Sequence, residues 1–183
     1  GYCDVARAMG IPVVRAFPGD VREGYALDAL YPRIVAGFRA VVDAIEGWGL
    51  RVGIENHGRL LNDGDRLYDL VRDVDSPLLG ITLDTGNFCW AGHPIDTAHR
   101  FFERLAPLAV SVHVKDGRFV DGEWTLYPAG RGDIDLPGVF AALEAAGYDG
   151  AVVSEYEGEA DFMASTTESV AYLRGLRDGR GLR

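Results

Sequence analysis

Cysteine is the first scarcity: the 183-residue chain carries only Cys3 and Cys89. Two thiols make neither a disulfide framework nor a cysteine-rich zinc site, so a reducing, cytoplasmic setting is the expectation. Positive charge is also short. Lys and Arg number 18 against 28 Asp and Glu, a net charge of −10. Nucleic acid and anionic membrane surfaces both reward clustered basic side chains, so neither is expected as a partner. A small ligand or a cation fits better. Long apolar runs are missing as well: none approaches the roughly 20 residues of a membrane span, and no basic-then-apolar leader opens the sequence. A soluble protein is expected.

What is present is ordinary globular material, 48% hydrophobic and 25% charged, enough for one domain over residues 1–183 with a sizeable core. Five short apolar runs recur: "IPVVRAF" (11–17), "RVGIEN" (51–56), "LGITLD" (79–84), "AVSVHVKD" (109–116) and "GAVVSEYEG" (150–158). They are continuous rather than alternating and rich in Val and Ile, which predicts strands covered on both faces, as in a parallel sheet. Helical patterns lie between them. "PRIVAGFRAVVDAIEGWG" spaces Ile34, Phe38, Val41, Val42 and Ile45 on one face and stops at Gly47 and Gly49. "DRLYDLVRDV", "PIDTAHRFFERLAP" and "LPGVFAALEAAGYDG" read likewise, and a last helix is expected over about 161–177. The alternation defines an α/β fold with parallel strands and right-handed crossovers. The segment 116–135 is too long and Gly-rich for a plain connection and is expected to be functional, as a lid. Because a helix runs into a strand within the first 17 residues and the first residue is Gly1, the sequence reads as the middle of something longer.

The strand ends share a property. Glu55, Asp84, His113 and Glu155 close four successive strands, at separations of 84 − 55 = 29, 113 − 84 = 29 and 155 − 113 = 42. In a parallel sheet or barrel the C-terminal strand ends share one face, so these side chains are expected to converge. Three carboxylates and an imidazole form a mixed oxygen and nitrogen set suited to one divalent ion, Mn²⁺, Mg²⁺, Co²⁺ or Zn²⁺. Side chains alternate along a strand, which places His57 beside Glu55, Lys115 beside His113 and Glu157 beside Glu155. Arg15, at the end of the first strand, has the right face for a substrate. Trp90 and Trp124 fall in loops on the same side, as an apolar wall for a sugar.

The motifs "IENHG", "LDTGNF", "HVKD" and "GxGDID", followed by "GYDGAVVSEYEGE", resemble the sugar phosphate isomerase/epimerase family. These are xylose-isomerase-like TIM barrels that include ketose 3-epimerases and inosose dehydratases. The resemblance runs over about residues 4 to 175. It implies a (β/α)8-type barrel in which Glu55, Asp84, His113 and Glu155 hold the metal, with Glu55 and Glu155 also the catalytic acid/base pair. It further implies a sugar or cyclitol substrate, contacted here by Arg15, His57, Asn87, Lys115 and Arg131. The 3-epimerases carry a histidine where this chain has Asn87. The family barrel has eight strands with the ligands on the last four; five are readable here, so the first three βα units are expected to be absent. The open edge would then favour a homo-oligomer. The implied function is a metal-dependent sugar isomerase or epimerase. The alternatives are a lyase of the inosose dehydratase type on the same site and a catalytically inactive incomplete barrel.

Overall fold

The computed structural model describes residues 1–20 and 23–180. In chain order they form α1 (Tyr2–Met9), β1 (Val13–Ala16), α2 (Leu27–Ala44), β2 (Arg51–Glu55), α3 (Gly64–Val74) and β3 (Leu79–Asp84). A short α4 (Asn87–Trp90), α5 (Ile95–Leu105) and β4 (Ala109–Val114) follow. The rest is β5 (Asp116–Val120), β6 (Glu123–Tyr127), α6 (Leu136–Ala145), β7 (Val152–Ser154) and α7 (Phe162–Arg180).

Burial on both faces decides the architecture. Every residue of β3 is buried, and an extended segment with no wet face has to sit inside a sheet covered on both sides. Five parallel strands make that sheet in the order β1-β2-β3-β4-β7. All five runs read from the sequence are in it. Its register is what positions the ligands: Glu55 lies opposite Thr82, and Asp84 opposite His113. The helices between strands cover the sheet. Leu67 and Leu70 of α3 and Phe101, Phe102 and Leu105 of α5 are buried with Phe88, and the three phenylalanine rings meet at centroid separations of 5.0 and 5.8 Å. Burying a side chain of this size contributes about 1.5–3 kcal/mol.

Caps fix the helix starts. Asp63 accepts hydrogen bonds from the amides of Asp65 and Arg66 at the head of α3, and Asp135 accepts from Gly138 at the head of α6. One start differs from expectation. The α2 helix begins at Leu27 rather than near Pro32, and Pro32 lies inside it. So close to the N-terminus the missing amide removes a single helical bond, which the apolar face of α2 outweighs.

The long segment 116–135 is not a loose lid. Its first half is the antiparallel hairpin of β5 and β6, with Phe119 opposite Trp124 and Val120 opposite Glu123. The turn is Asp121-Gly122, both at positive φ (51° and 87°), the pairing that a two-residue hairpin turn requires. The five-stranded sheet has two edges, β1 and β7. Val152 and Val153 of β7 are 41% and 44% exposed. Among the described residues no helix is long and apolar enough to cross a membrane.

Phe102→Ala should lower the stability of the chain by about 3–5 kcal/mol in urea unfolding, because the residue is fully buried in the ring cluster.

Candidate metal centre

The first two of these strand ends are each tied to the next strand by the residue that follows the acid. Asn56, next to Glu55, donates from Nδ2 to the Asp84 carbonyl at 2.9 Å and accepts from the Asp84 amide at 2.8 Å. Thr85, next to Asp84, bonds both main-chain groups of Lys115, at 2.5 and 3.0 Å. Both side chains are buried and stand in for ladder bonds where the strands diverge. Sequence reasoning missed them. The signal was there: a buried Asn or Thr needs partners, and each sits one position past a strand-end acid.

The result is a tight cluster. Glu55, Asp84, His113 and Glu155 each offer a ligand atom, all within 4.8 Å of one another. The Asp84 carboxylate is divided between two tasks. Its Oδ1 accepts from the amides of Gly86 and Asn87 at 2.8 and 2.9 Å, so it is pinned by the turn entering α4. Its Oδ2 is buried and makes no hydrogen bond. His113 Nδ1 and Glu155 Oε2 are likewise buried and unbonded, although Nδ1 comes within 2.9 Å of Glu55 Oε1 and 3.3 Å of Glu155 Oε2. Lys115 Nζ offers Asp84 Oδ2 and Glu155 Oε2 an ion pair at 3.3 and 3.0 Å, but one ammonium leaves the convergent set incompletely satisfied, and that is costly in a buried site. A divalent cation fits that set of donors, since it satisfies all of them at once.

Charge leads to the same reading. Arg15 approaches Glu55 at 3.2 Å and Glu155 at 3.8 Å. Lys115 Nζ is buried, 3.3 Å from Asp84 and 3.0 Å from both Glu155 and Glu157. Four carboxylates thus face two fixed cations, leaving a charge of −2 when all four are ionised and His113 is neutral. The groups respond to one another. Burial raises the Asp84 carboxyl to about 7, with the Glu55 charge adding to the rise and Lys115 opposing it. For His113, burial disfavours the charged form, but the carboxylates of Glu55, Glu155 and Asp84 outweigh it and the imidazole is raised. Burial likewise works against ionised Glu55 and Glu155. The cations outweigh it: His113 and Arg15 lower Glu55, and Lys115, His113 and Arg15 lower Glu155.

A cavity of about 170 Å³ adjoins the cluster, lined by His57, Asn87, Trp90, Lys115, Trp124 and Glu157 among others. The structure therefore brings Arg15, Lys115 and Asn87 to the ligands, with Asn87 Oδ1 accepting from Lys115 at 3.4 Å. His57 stands in the cavity wall between Phe17 and Trp90, at ring separations of 4.7 and 6.3 Å. Arg131 is placed elsewhere. Its guanidinium bonds Glu168 of α7 and is mostly exposed, because the loop that carries it is folded down onto Asp116. That carboxylate accepts from the amides of Gly117, Gly130, Gly132 and Ile134 at 2.8 to 3.3 Å. Lys115 and Asp116 are consequently both buried, with separate partners, rather than a solvated pair. His93 and His99 serve the fold: His93 Nε2 lies 2.8 Å from the Asn62 carbonyl, and His99 accepts from the Asp135 amide. Burial raises the Cys89 thiol to about 12, so it is inert.

Comparison with known proteins places this geometry. The sequence model of the xylose isomerase-like TIM barrel family matches residues 2–176, and the chain belongs to that family. A curated relative, an uncharacterised protein of Methanocaldococcus jannaschii, is 31% identical over 140 residues, 73% of this chain and 46% of that protein. The 3-oxo-isoapionate decarboxylase of Pectobacterium atrosepticum is 28% identical over 122 residues, 67% of this chain and 41% of the enzyme. The chain thus spans less than half the length of these curated relatives. Among solved structures, a D-tagatose 3-epimerase-like protein superposes with a TM-score of 0.77 at 25% identity, covering 97% of this chain and 66% of the other. A xylose isomerase-like TIM barrel protein from Mycobacterium smegmatis in complex with magnesium superposes at 0.80, with 17% identity, covering 97% and 65%; it shows the shared fold.

Two outcomes are expected for Asp84. Calorimetric titration of Mn²⁺ should give about one equivalent for the wild type and none for Asp84→Ala, with affinity rising through pH 7 as the carboxyl loses its proton. The native carboxyl titrates near 7 against an ordinary 3.8, so metal-free stability falls as pH climbs between those values. Asp84→Asn, neutral throughout, should therefore unfold at higher urea than the metal-free wild type at pH 8.

Proposed function

We propose that the protein is a divalent-metal-dependent isomerase or epimerase acting on a sugar or related polyol ketone. The observation that carries the reading is the convergence of Glu55, Asp84, His113 and Glu155, whose ligand atoms lie within 4.8 Å of one another. Likeness to a D-tagatose 3-epimerase-like protein supports it. Glu55, Asp84, His113 and Glu155 would hold the ion, and the donor set is compatible with Mn²⁺, Mg²⁺, Co²⁺ or Zn²⁺. A cation bound there supplies charge stabilisation for a carbonyl oxygen whose neighbouring C–H bond is breaking.

This chain's own residues then do the rest. Glu155, 27% exposed, and Glu55, fully enclosed, would be the two carboxylates that act on opposite faces of the carbon next to the carbonyl. One takes the proton and the other returns one. Arg15 keeps Glu55 ionised and oriented through contacts at 3.2 and 3.4 Å to its two oxygens. Lys115, held among Asp84, Glu155 and Glu157, steadies negative charge at the mouth of the cavity. His57, Trp90 and Trp124 form the wall against which a sugar face packs.

Lyase chemistry is the second reading, favoured by the likeness to a decarboxylase. It uses the same charge stabilisation and differs in what leaves. Incubation of the Mn²⁺-loaded chain with ketoses and inososes in D₂O separates the two. Epimerisation leaves deuterium at the carbon beside the carbonyl in an otherwise intact sugar, whereas a lyase yields a dehydrated or shortened product. Glu155→Gln should reduce either reaction at least about 100-fold; unchanged turnover by this variant would remove Glu155 from the mechanism. We also propose that a second copy of the chain covers the open sheet edge at β7. Sedimentation velocity should then show a dimer, and Val153→Lys a monomer.

A further inference from the structure

A second, larger concavity lies on the other side of Trp90. The indole borders both the 170 Å³ cavity beside the metal ligands and a groove of about 670 Å³ that also contains Arg59, Arg66, Asn62 and Asp63. Three properties of this groove bear on what it can bind. Two exposed arginines, Arg59 and Arg66, line it, and no ion pair with another described residue engages either, in a chain whose net charge is −10. The acid beside them, Asp63, is occupied in capping α3 through the amides of Asp65 and Arg66. The third property is an unsatisfied acceptor. Asn62 is 95% buried, its Nδ2 is committed to the carbonyls of Gly58 and Asn87 at 3.1 and 2.8 Å, and its buried Oδ1 has no partner.

We infer that this groove is a distal substrate subsite that binds the anionic end of a polyol, a carboxylate or phosphate monoester carried several carbons away from the reacting carbonyl. The inference rests on the proposed function, since it extends the ligand of that same site. The elements supply what such a ligand needs. Arg59, whose guanidinium stacks 5.7 Å from the Trp90 ring centroid, and Arg66 at the start of α3 present paired donors for an anion. Asn62, buried in the floor between the two arginines' elements, carries an unpartnered Oδ1 that would accept a hydrogen bond from a hydroxyl of the carbon chain leading to the anion. Trp90, between His57 on one side and Arg59 on the other, gives that chain an apolar face to run along. A neutral ketose would leave both arginines unpaired. The preferred substrate is therefore an acidic sugar derivative rather than a free monosaccharide.

The test is calorimetric binding of three probes to the Mn²⁺-loaded chain: D-glucuronate, D-glucose 6-phosphate and neutral D-glucose. Expected is tighter binding of at least one anionic probe than of glucose. The double variant Arg59→Gln, Arg66→Gln should weaken that probe at least about tenfold, the size of a lost charge-assisted hydrogen bond, and leave glucose unchanged. Comparison of the two anions tells carboxylate from phosphate recognition. Equal binding of charged and neutral probes, no binding of either anion, or an anion affinity indifferent to the double variant overturns the subsite. Metal binding is read separately through Mn²⁺ titration of the same samples. Arg-dependent anion binding in a protein that takes up no Mn²⁺ would keep the subsite and remove the metal-dependent reading, whereas the reverse pattern would keep the metal and remove the subsite.

Discussion

Like charges brought together at the mouth of a parallel sheet set the terms for everything around them. Glu55, Asp84 and Glu155 stand close enough for their carboxylates to share one ion, and in water they would separate. They are held by register: Asp84 lies directly opposite His113 because β3 and β4 run parallel with a slip between Ile81 and Thr82. Asn56 and Thr85 then lock the strand ends to each other where ladder bonds give out. Lys115 and Arg15 neutralise part of the repulsion. A site of this kind is costly to the fold that carries it, as the Asp84 carboxyl raised to about 7 shows, and proteins commonly tolerate such cost where chemistry is done.

The placement of the chemistry also explains how the helices are used. The turn into α4 is more than a connection. Its first amides hold one oxygen of Asp84, which turns the other toward His113 and Glu155. Gly86 allows it: a methyl group there would lie 2.6 Å from Lys115 Cβ. A short element with little stability of its own therefore aims a ligand, and the dense packing of Phe88 behind it keeps it in place.

Much of this was legible in the residue order. The five strands announced themselves because strands buried on both faces need continuous apolar runs, and the four strand-end residues because their spacing matched successive βα units. The neighbours Lys115 and Glu157 followed from the two-residue period. What escaped was local chemistry decided by a distant partner. The hairpin in 116–135 was hidden by its high glycine content, although Asp121-Gly122 between "RFV" and "EWTLY" is a turn signal. Arg131 looked like a substrate contact until the four amide bonds to Asp116 fixed the loop that carries it. No pattern in sequence spacing tells whether a loop arginine such as Arg131 faces a ligand or a neighbouring helix. Pro32 misled for the opposite reason: helix propensity is a weak prior, and burial of the α2 face overrode it.

The Asp116 anchor has a bearing on how the hairpin is set apart from the strand ends. One carboxylate gathers an amide from the first strand of the hairpin and three from the loop after its second strand, so the segment between His113 and α6 is tied off at its base. The Asp121-Gly122 tip lies beyond that knot, with the Asp116 bonds between it and the strand that presents His113. The fold thereby separates the strand ends that converge in the acidic cluster from the hairpin that rises beside them, and each is held by its own set of bonds.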